Sequence, residues 1–367
     1  MDKYFLTVDQ WLDFFNLQPI NLNTFKTTAT VSYKTTTPLK EFIKKHNKKK
    51  PQNIITDKEI ELLYYYAVTN RETYLRNFYR QSLKISDNTY MENVPLTIST
   101  RKNSHFKNII RNMYVRELLL ETTCDMSVTK PFLKMLTDLF NHQIIDYKLL
   151  TRSAIGLMKK KKFGVMVSGY YFRSSILNPA AIYALSKEYF GEKVFTPTLG
   201  WSSYLYGSLC NKNVKEYVGT DVIEKVCTIT QEFATAFFPE KSTTIYCCPS
   251  EKLLNDSTFN QRNFKENYFD TIFFSPPYFK LEMYPGKLQS IVLYPNYNDW
   301  LEKYWRQTIK LCRKIIKPTG KLIYIISNYG KQKSLCEDMN EITQSLFTLQ
   351  TVLPLSSTKT DIIKDNN

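Results

Sequence analysis

The sequence predicts an α/β protein in which a mainly helical, basic first half precedes a doubly wound, mostly parallel sheet. Three observations carry that prediction. After Gly164, short apolar runs alternate with helical stretches. Before it, apolar residues recur at helical spacing. Positive charge also concentrates there: residues 1–165 hold 27 Lys+Arg against 15 Asp+Glu (+12) and residues 166–367 hold 23 against 19 (+4), within a formal charge of +16. At 367 residues the chain has room for two domains, predicted at 1–165 and 166–367.

The first half reads as helices over residues 8–17, 56–83, 104–122, 130–141 and 146–158, with a Thr-rich connection around 27–37. Thr56-Asp57 is a helix-start signal. Ile60, Leu62, Leu63, Tyr66, Leu75 and Phe78 then form an apolar face, as do Phe106, Ile109, Ile110, Met113, Leu118 and Leu119 in the next long helix. In the second half, strands are predicted over 194–196, 216–221, 244–247, 269–274, 321–326 and 347–352. Helices fall over 222–237, over 298–316 and from about 331. Ligands of such sheets bind beyond the carboxyl ends of the strands.

Composition excludes several function classes. Seven cysteines without Cys-x-x-Cys spacing predict reduced thiols in a cytosol-like compartment and no zinc site. His46, His105 and His142 all lie in the first half, which removes a histidine base from the second. The amino terminus has early acids and no long apolar run, so neither a signal peptide nor a membrane span is expected. Two lysine-rich clusters, Lys44-Lys45-His46-Asn47-Lys48-Lys49-Lys50 and Lys159-Lys160-Lys161-Lys162, are the densest positive segments and are candidate nucleic-acid contacts. Solvated loops are the alternative.

The most informative stretch is the apolar run that leads into Ser275-Pro276-Pro277-Tyr278. Proline fixes its own φ and pushes the preceding residue to an extended conformation, so this loop is stiff. A carbonyl at Ser275 or Pro276 and the Ser275 hydroxyl can accept N–H donors, while Tyr278 offers a ring on which a nucleobase can stack. Two acceptors on an exocyclic amine free its delocalised lone pair for attack. The residues therefore point to chemistry on a planar amine.

With these motifs in view, residues 165–330 resemble S-adenosylmethionine-dependent DNA amino-methyltransferases of the adenine-N6 or cytosine-N4 type, especially viral and phage members. Phe172-Arg-Ser-Ser-Ile-Leu-Asn178-Pro179 resembles the segment that opens the cofactor pocket. Thr196, Pro197, Gly200 and Trp201 fall in the stretch resembling the first cofactor loop, Asp221 ends the second strand, and Ser250 and Glu251 follow the third. The resemblance implies a Rossmann-like methyltransferase sheet, S-adenosylmethionine as cofactor, and Ser275, Pro276, Pro277 and Tyr278 as the catalytic loop. It also implies Asp221 on the cofactor ribose, Ser250 or Glu251 on its adenine, and a host cytoplasm or virion location if the source is viral. The chain departs from the family where Thr196 replaces the usual acid, Ser202 and Ser203 replace glycines, and Tyr204 replaces a common basic residue. Those departures imply a cofactor site that is weakened, rebuilt or lost.

The leading expectation is methylation of a flipped base in DNA, with the helical half gripping the duplex. Two alternatives remain: an RNA methyltransferase of the cap-adenosine kind, and a catalytically silent protein that binds nucleic acid on this scaffold. No metal and no membrane are expected. Oligomeric state is left open.

Overall fold

The computed structural model describes residues 1–35, 56–87, 89–92, 105–124, 129–255, 264–329 and 334–355. The first half is helical, as its spacing predicts: α1 (Val8–Asp13), α2 (Leu22–Thr35), α3 (Asp57–Tyr64), α4 (Arg71–Ser82), α5 (Phe106–Met113), α6 (Phe132–Phe140), α7 (Arg152–Lys159) and α8 (Phe163–Tyr170). Thr56 caps α3 in a reciprocal box with Glu59, so the start signal and the helix coincide. The boundary expected after residue 165 falls inside α8.

Four helical expectations are corrected. The helix over 146–158 is instead a 3-10 turn at Tyr147–Leu150 that ends at extended Thr151 (ψ 152°), whose side chain then caps α7. The single helix over 56–83 is broken by a π-helical turn at Tyr65–Thr69 and by Asn70, whose φ of −107° and ψ of 7° leave the helical region. Val68, Thr69 and Asn70 are weak helix formers placed together. The helix over 104–122 likewise stops at Tyr114 (φ −121°, ψ 34°) and resumes as a π-helical turn at Glu117–Glu121. Conversely, the Thr-rich connection is helical through Thr35: the Asn21 side chain accepts from the Thr24 N–H at 2.9 Å, and Phe25 is fully buried. Burial of that ring outweighs the weak propensity of threonine.

In the second half, β1 (Lys193–Thr196), β2 (Glu216–Asp221), β3 (Ser242–Cys247), β4 (Phe269–Phe274) and β5 (Ile316–Tyr324) form one sheet of order β3-β2-β1-β4-β5. All neighbouring pairs are parallel. This is the Rossmann-like α/β arrangement the sequence predicts. β1 is central, and its Val194, Phe195 and Thr196 are completely buried, which explains their continuous rather than alternating pattern. Around the sheet run α9 (Pro179–Tyr189), α10 (Ser203–Leu209), α11 (Glu224–Phe237), the short α12 (Ser290–Leu293) and α13 (Tyr297–Asp299), α14 (Arg306–Ile315) and α15 (Leu335–Gln344). β5 starts earlier than predicted because Ile316 already pairs with Phe269, and a bulge follows before Lys321 meets Thr271.

The strand predicted over 347–352 is absent. Residues 348–355 run irregularly, with Leu349 56% and Val352 77% exposed. Their alternation imitates a strand, but no ladder partner meets them among the described residues.

The helical half packs directly on the sheet half. The Tyr206 hydroxyl donates to the Thr89 carbonyl at 2.6 Å, Phe106 meets Tyr206 edge-on, and Lys225 pairs with Glu117. α9 and α10 approach so closely that a Cβ added at Gly207 would lie 2.5 Å from both the Pro179 carbonyl oxygen and Ile182 Cβ. Gly207→Ala should therefore lower stability by about 1–3 kcal/mol, although alanine in a helix interior is worth about 1 kcal/mol over glycine. Thermal denaturation checks the sign: a raised melting temperature would contradict this packing.

Candidate functional site

Strand order reverses direction between β1 and β4, so the loops leaving their carboxyl ends diverge and open a crevice. A cavity of about 1120 Å³ lies there. It is lined from β1 by Pro197, Thr198, Gly200 and Trp201, from β2 by Asp221, from β3 by Ser250 and Glu251, and from β4 by Ser275, Pro276, Pro277 and Tyr278. Asn178, Pro179 and Thr196 are not among its lining residues. Asn178 instead caps α9 through the Ala180 N–H at 3.2 Å, with Pro179 as the first helical residue. Thr196 is fully buried, its hydroxyl 2.5 Å from that of Tyr217.

The loop after β1 is conformationally unusual. Gly200, Trp201 and Ser202 have φ of 51°, 58° and 65°, three successive left-handed residues. For the two that are not glycine, this costs about 1–2 kcal/mol each. Compensation is visible: the Ser202 hydroxyl lies 2.6 Å from both Tyr114 Oη and Thr230 Oγ1, and the Trp201 ring is buried against Tyr114 and Tyr284. Ser202 thus belongs to the scaffold, tying the loop to the helical half and to α11.

Gly200 has a second constraint, because a Cβ there would sit 2.3 Å from the Tyr204 ring. That ring packs over the loop, and its hydroxyl donates to the Ser275 carbonyl at 3.1 Å while lying 3.2 Å from the Ser275 N–H. Tyr204 therefore bridges the loops leaving β1 and β4. The Ser275 carbonyl, one of the acceptors the sequence offered for an amine, is occupied by this bridge. The Ser275 hydroxyl donates to the Ile325 carbonyl at 2.9 Å, leaving its lone pairs to accept. No hydrogen bond of the described residues takes the Pro276 carbonyl. Tyr278 is half-buried, with its ring parallel to Tyr329 at 5.7 Å and 12°.

Asp221 Oδ1 accepts from the Val222 and Ile223 N–H groups at 2.8 and 3.1 Å, and Oδ2 accepts from the Leu199 N–H at 3.1 Å. Burial raises its pKa and these three donors oppose the rise. The carboxylate organises both the β1 and β2 loops, and Oδ2 keeps capacity for another donor. Glu251 is different. It is 5% exposed, its Oε1 has no hydrogen-bond partner, and burial pushes its pKa up to about 7. The Tyr304 hydroxyl is also buried, also unpartnered, and lines the same cavity. Buried polar groups without partners are rare, and clusters of them mark sites that take a ligand.

Sequence reasoning missed two contributors. Tyr204 registers there only as a departure from a family pattern, because its reach to Ser275 spans 71 residues. Glu282 lines the cavity, is 7% exposed, and accepts from the Ser175 N–H at 2.9 Å and from the Tyr284 hydroxyl. A Glu close behind the Ser-Pro-Pro-Tyr run is its one sequence signal. Lys159, Lys160, Lys161 and Lys162 are exposed and do not line the cavity, while Lys44, Lys45, Lys48, Lys49 and Lys50 lie outside the described residues. No helix among the described residues is long and apolar enough to cross a membrane.

No family model and no curated protein matches the chain. Among solved structures it is similar to the (4+2)-cyclase SpnF, at 13% identity over 47% of this chain and 58% of that one with a TM-score of 0.31. It is similar also to the PH0226 protein from Pyrococcus horikoshii OT3 (15%, 45% and 77%, 0.28) and to a methyltransferase homolog protein from Pyrococcus horikoshii (16%, 41% and 44%, 0.27). The match spans less than two thirds of SpnF. At these scores the fold class rests on the sheet topology itself.

Glu251 makes a pH signature. Its pKa in the folded chain, about 7 against an ordinary 4.5, means the folded state keeps a proton that the unfolded chain releases. Stability then falls as pH rises from about 4.5 to about 7 and is level above that. Glu251→Gln should remove a penalty on the order of 3 kcal/mol at pH 8 and change little at pH 4.5. Urea denaturation at both pH values checks this, and parallel loss in the two proteins would show that Glu251 ionises without penalty.

Proposed function

We propose that the chain is an S-adenosylmethionine-dependent methyltransferase acting on the exocyclic amine of a nucleobase, adenine N6 or cytosine N4, in DNA. One observation carries the reading: the stiff Ser-Pro-Pro-Tyr loop and the left-handed Gly200 loop are bridged by Tyr204 and wall a single cavity whose β3 side holds unpartnered polar groups. Such a cavity has an aromatic and carbonyl end suited to a flat amine and a polar end suited to a nucleoside.

The residues present fit the cofactor. Glu251 Oε1 and the Tyr304 hydroxyl can take the adenine amine and a ring nitrogen, Asp221 Oδ2 can accept from a ribose hydroxyl, and the backbone at Gly200 allows close approach of the methionine portion. When bound, the cofactor supplies an electrophilic methyl group. The protein's own work is positioning: the Pro276 carbonyl and the Ser275 hydroxyl oxygen accept the two amine hydrogens, which localises the nitrogen lone pair. One face of the Tyr278 ring is taken by Tyr329 at 5.7 Å and 12°, so a base would stack on the other face or displace Tyr329. No strong base is required, since the methylated amine sheds its proton readily.

A second reading, a silent scaffold that binds nucleic acid, is favoured by one observation. Thr196 and Tyr217 satisfy each other where the resembling family places an acid, so β1 itself offers no carboxylate to the cofactor's ammonium.

Transfer of label from tritiated S-adenosylmethionine to duplex DNA, single-stranded DNA and capped RNA tests the proposal and ranks the substrates. Incorporation into DNA should fall about tenfold in Ser275→Ala, which loses one acceptor, and about 10- to 100-fold in Tyr278→Ala, which loses the stacking ring. Equal incorporation by all three proteins would remove the Ser-Pro-Pro-Tyr pocket as the site. Absence of label under all conditions would favour the silent scaffold.

A further inference from the structure

Three cations on the helical wall of the cavity have no anionic partner. Lys107 and Arg111 sit four residues apart on α5, hence on one helix face, and Arg173 precedes the Ser174-Ser175 segment; all three are half-buried and line the cavity. Among the described residues none of them makes an ion pair or a hydrogen bond, and the Arg173 guanidinium lies over the Phe132 ring at 5.4 Å. Other part-buried cations among the described residues do have partners: Lys130 pairs with Asp138 at 2.9 Å, Lys317 with Asp270 at 2.5 Å, and Lys241 and Arg71 donate to backbone carbonyls. Lys107, Arg111 and Arg173 have neither kind of partner among the described residues.

Its electrostatics are unfavourable as it stands. Burial lowers the pKa of Lys107 to about 8 and that of Arg111 to about 10, and mutual repulsion adds to both. Arg173 is lowered as well, mainly by burial. An independent observation lies beside them: Ser174, 9% exposed, lines the same cavity, and its buried hydroxyl has no hydrogen-bond partner. The next residue, Ser175, donates its N–H to Glu282 just beyond the Ser-Pro-Pro-Tyr loop. The cationic wall and the loop are therefore parts of one constructed surface.

We propose that Lys107, Arg111, Arg173 and the Ser174 hydroxyl form a seat for a backbone phosphate of the nucleic-acid strand whose base enters the cavity. This rests on the nucleic-acid substrate proposed above. Two guanidinium forks, an ammonium and a hydroxyl match the several acceptor oxygens of a phosphate. The cofactor is the wrong charge for this wall: its sulfonium and ammonium outweigh its one carboxylate, so three cations repel it overall. A polyanion is attracted. Phosphate contacts set the register of a strand without reading its sequence, which is what a site built to present one base requires.

The test is fluorescence anisotropy of a labelled single-stranded oligonucleotide with full-length protein, without cofactor, over a salt series. Arg111→Gln and Arg173→Gln should each weaken binding about tenfold, and each should reduce the slope of log K against log salt by about 0.7. Their melting temperatures should hold or rise, because each change relieves repulsion. Unchanged affinity and slope would overturn the proposal, as would an equal loss from the exposed pair Lys159→Gln and Lys160→Gln. A melting temperature that falls with affinity would also overturn it, by showing a structural role. So would a loss confined to S-adenosylmethionine binding, measured by calorimetry on the same variants, since the seat would then hold the cofactor carboxylate. Intact strand binding with these losses in the variants, but no methyl transfer in any protein, keeps the phosphate seat and removes the transferase reading alone.

Discussion

The Tyr204 hydroxyl, bonded to both backbone groups of Ser275, is the interaction on which the rest of the site depends. It holds the loop after β1 against the loop after β4, across the point where the sheet changes direction. Without it, among the described residues, only the longer Thr198 hydroxyl contact to the Ser275 carbonyl, at 3.4 Å, would join the two stiff segments across the crevice. The clamp explains the sequence around it. Gly200 must lack a side chain so that the Tyr204 ring can lie on the loop, and Ser202 must carry a hydroxyl so that a left-handed backbone is anchored to Tyr114 and Thr230. Gly200, Ser202 and Tyr204 thus act together as one packed unit of the loop.

Charge is arranged around this clamp at a cost to the folded state. Glu251 and Tyr304 are withdrawn from water without partners, and Lys107, Arg111 and Arg173 crowd together on the helical wall. Each group would be more stable exposed or paired. Glu251 and Tyr304 beyond β3 and the cations of the helical wall give the cavity walls of different chemistry. Asp221 differs in kind, since its carboxylate is already employed in holding two loops.

The sheet was legible in the sequence because buried parallel strands are continuous apolar runs ended by turn residues: Val194-Phe195-Thr196 and the run ending at Phe274 could be read directly. The Ser275–Tyr278 segment was legible for the same reason, its stiffness being local chemistry. What could not be read depends on distant partners. Helix breaks at Asn70 and Tyr114, the Tyr204 bridge and the Glu282 contacts are decided by tertiary neighbours. The alternation over 347–352 was misleading, because a strand needs a ladder and none is present there among the described residues. The exposed Lys159–Lys162 run drew attention by density, while Lys107, Arg111 and Arg173 are scattered in sequence and meet only in the fold.

The central claim is that the clamped cavity binds S-adenosylmethionine. Isothermal titration calorimetry of the wild-type protein with S-adenosylmethionine tests it most directly, with Tyr204→Phe alongside because that change removes only the hydroxyl of the bridge. The account predicts saturable one-to-one binding by the wild type and weaker binding by Tyr204→Phe at unchanged stoichiometry. No heat of binding at millimolar cofactor, from protein shown to be folded by its melting transition, would contradict it.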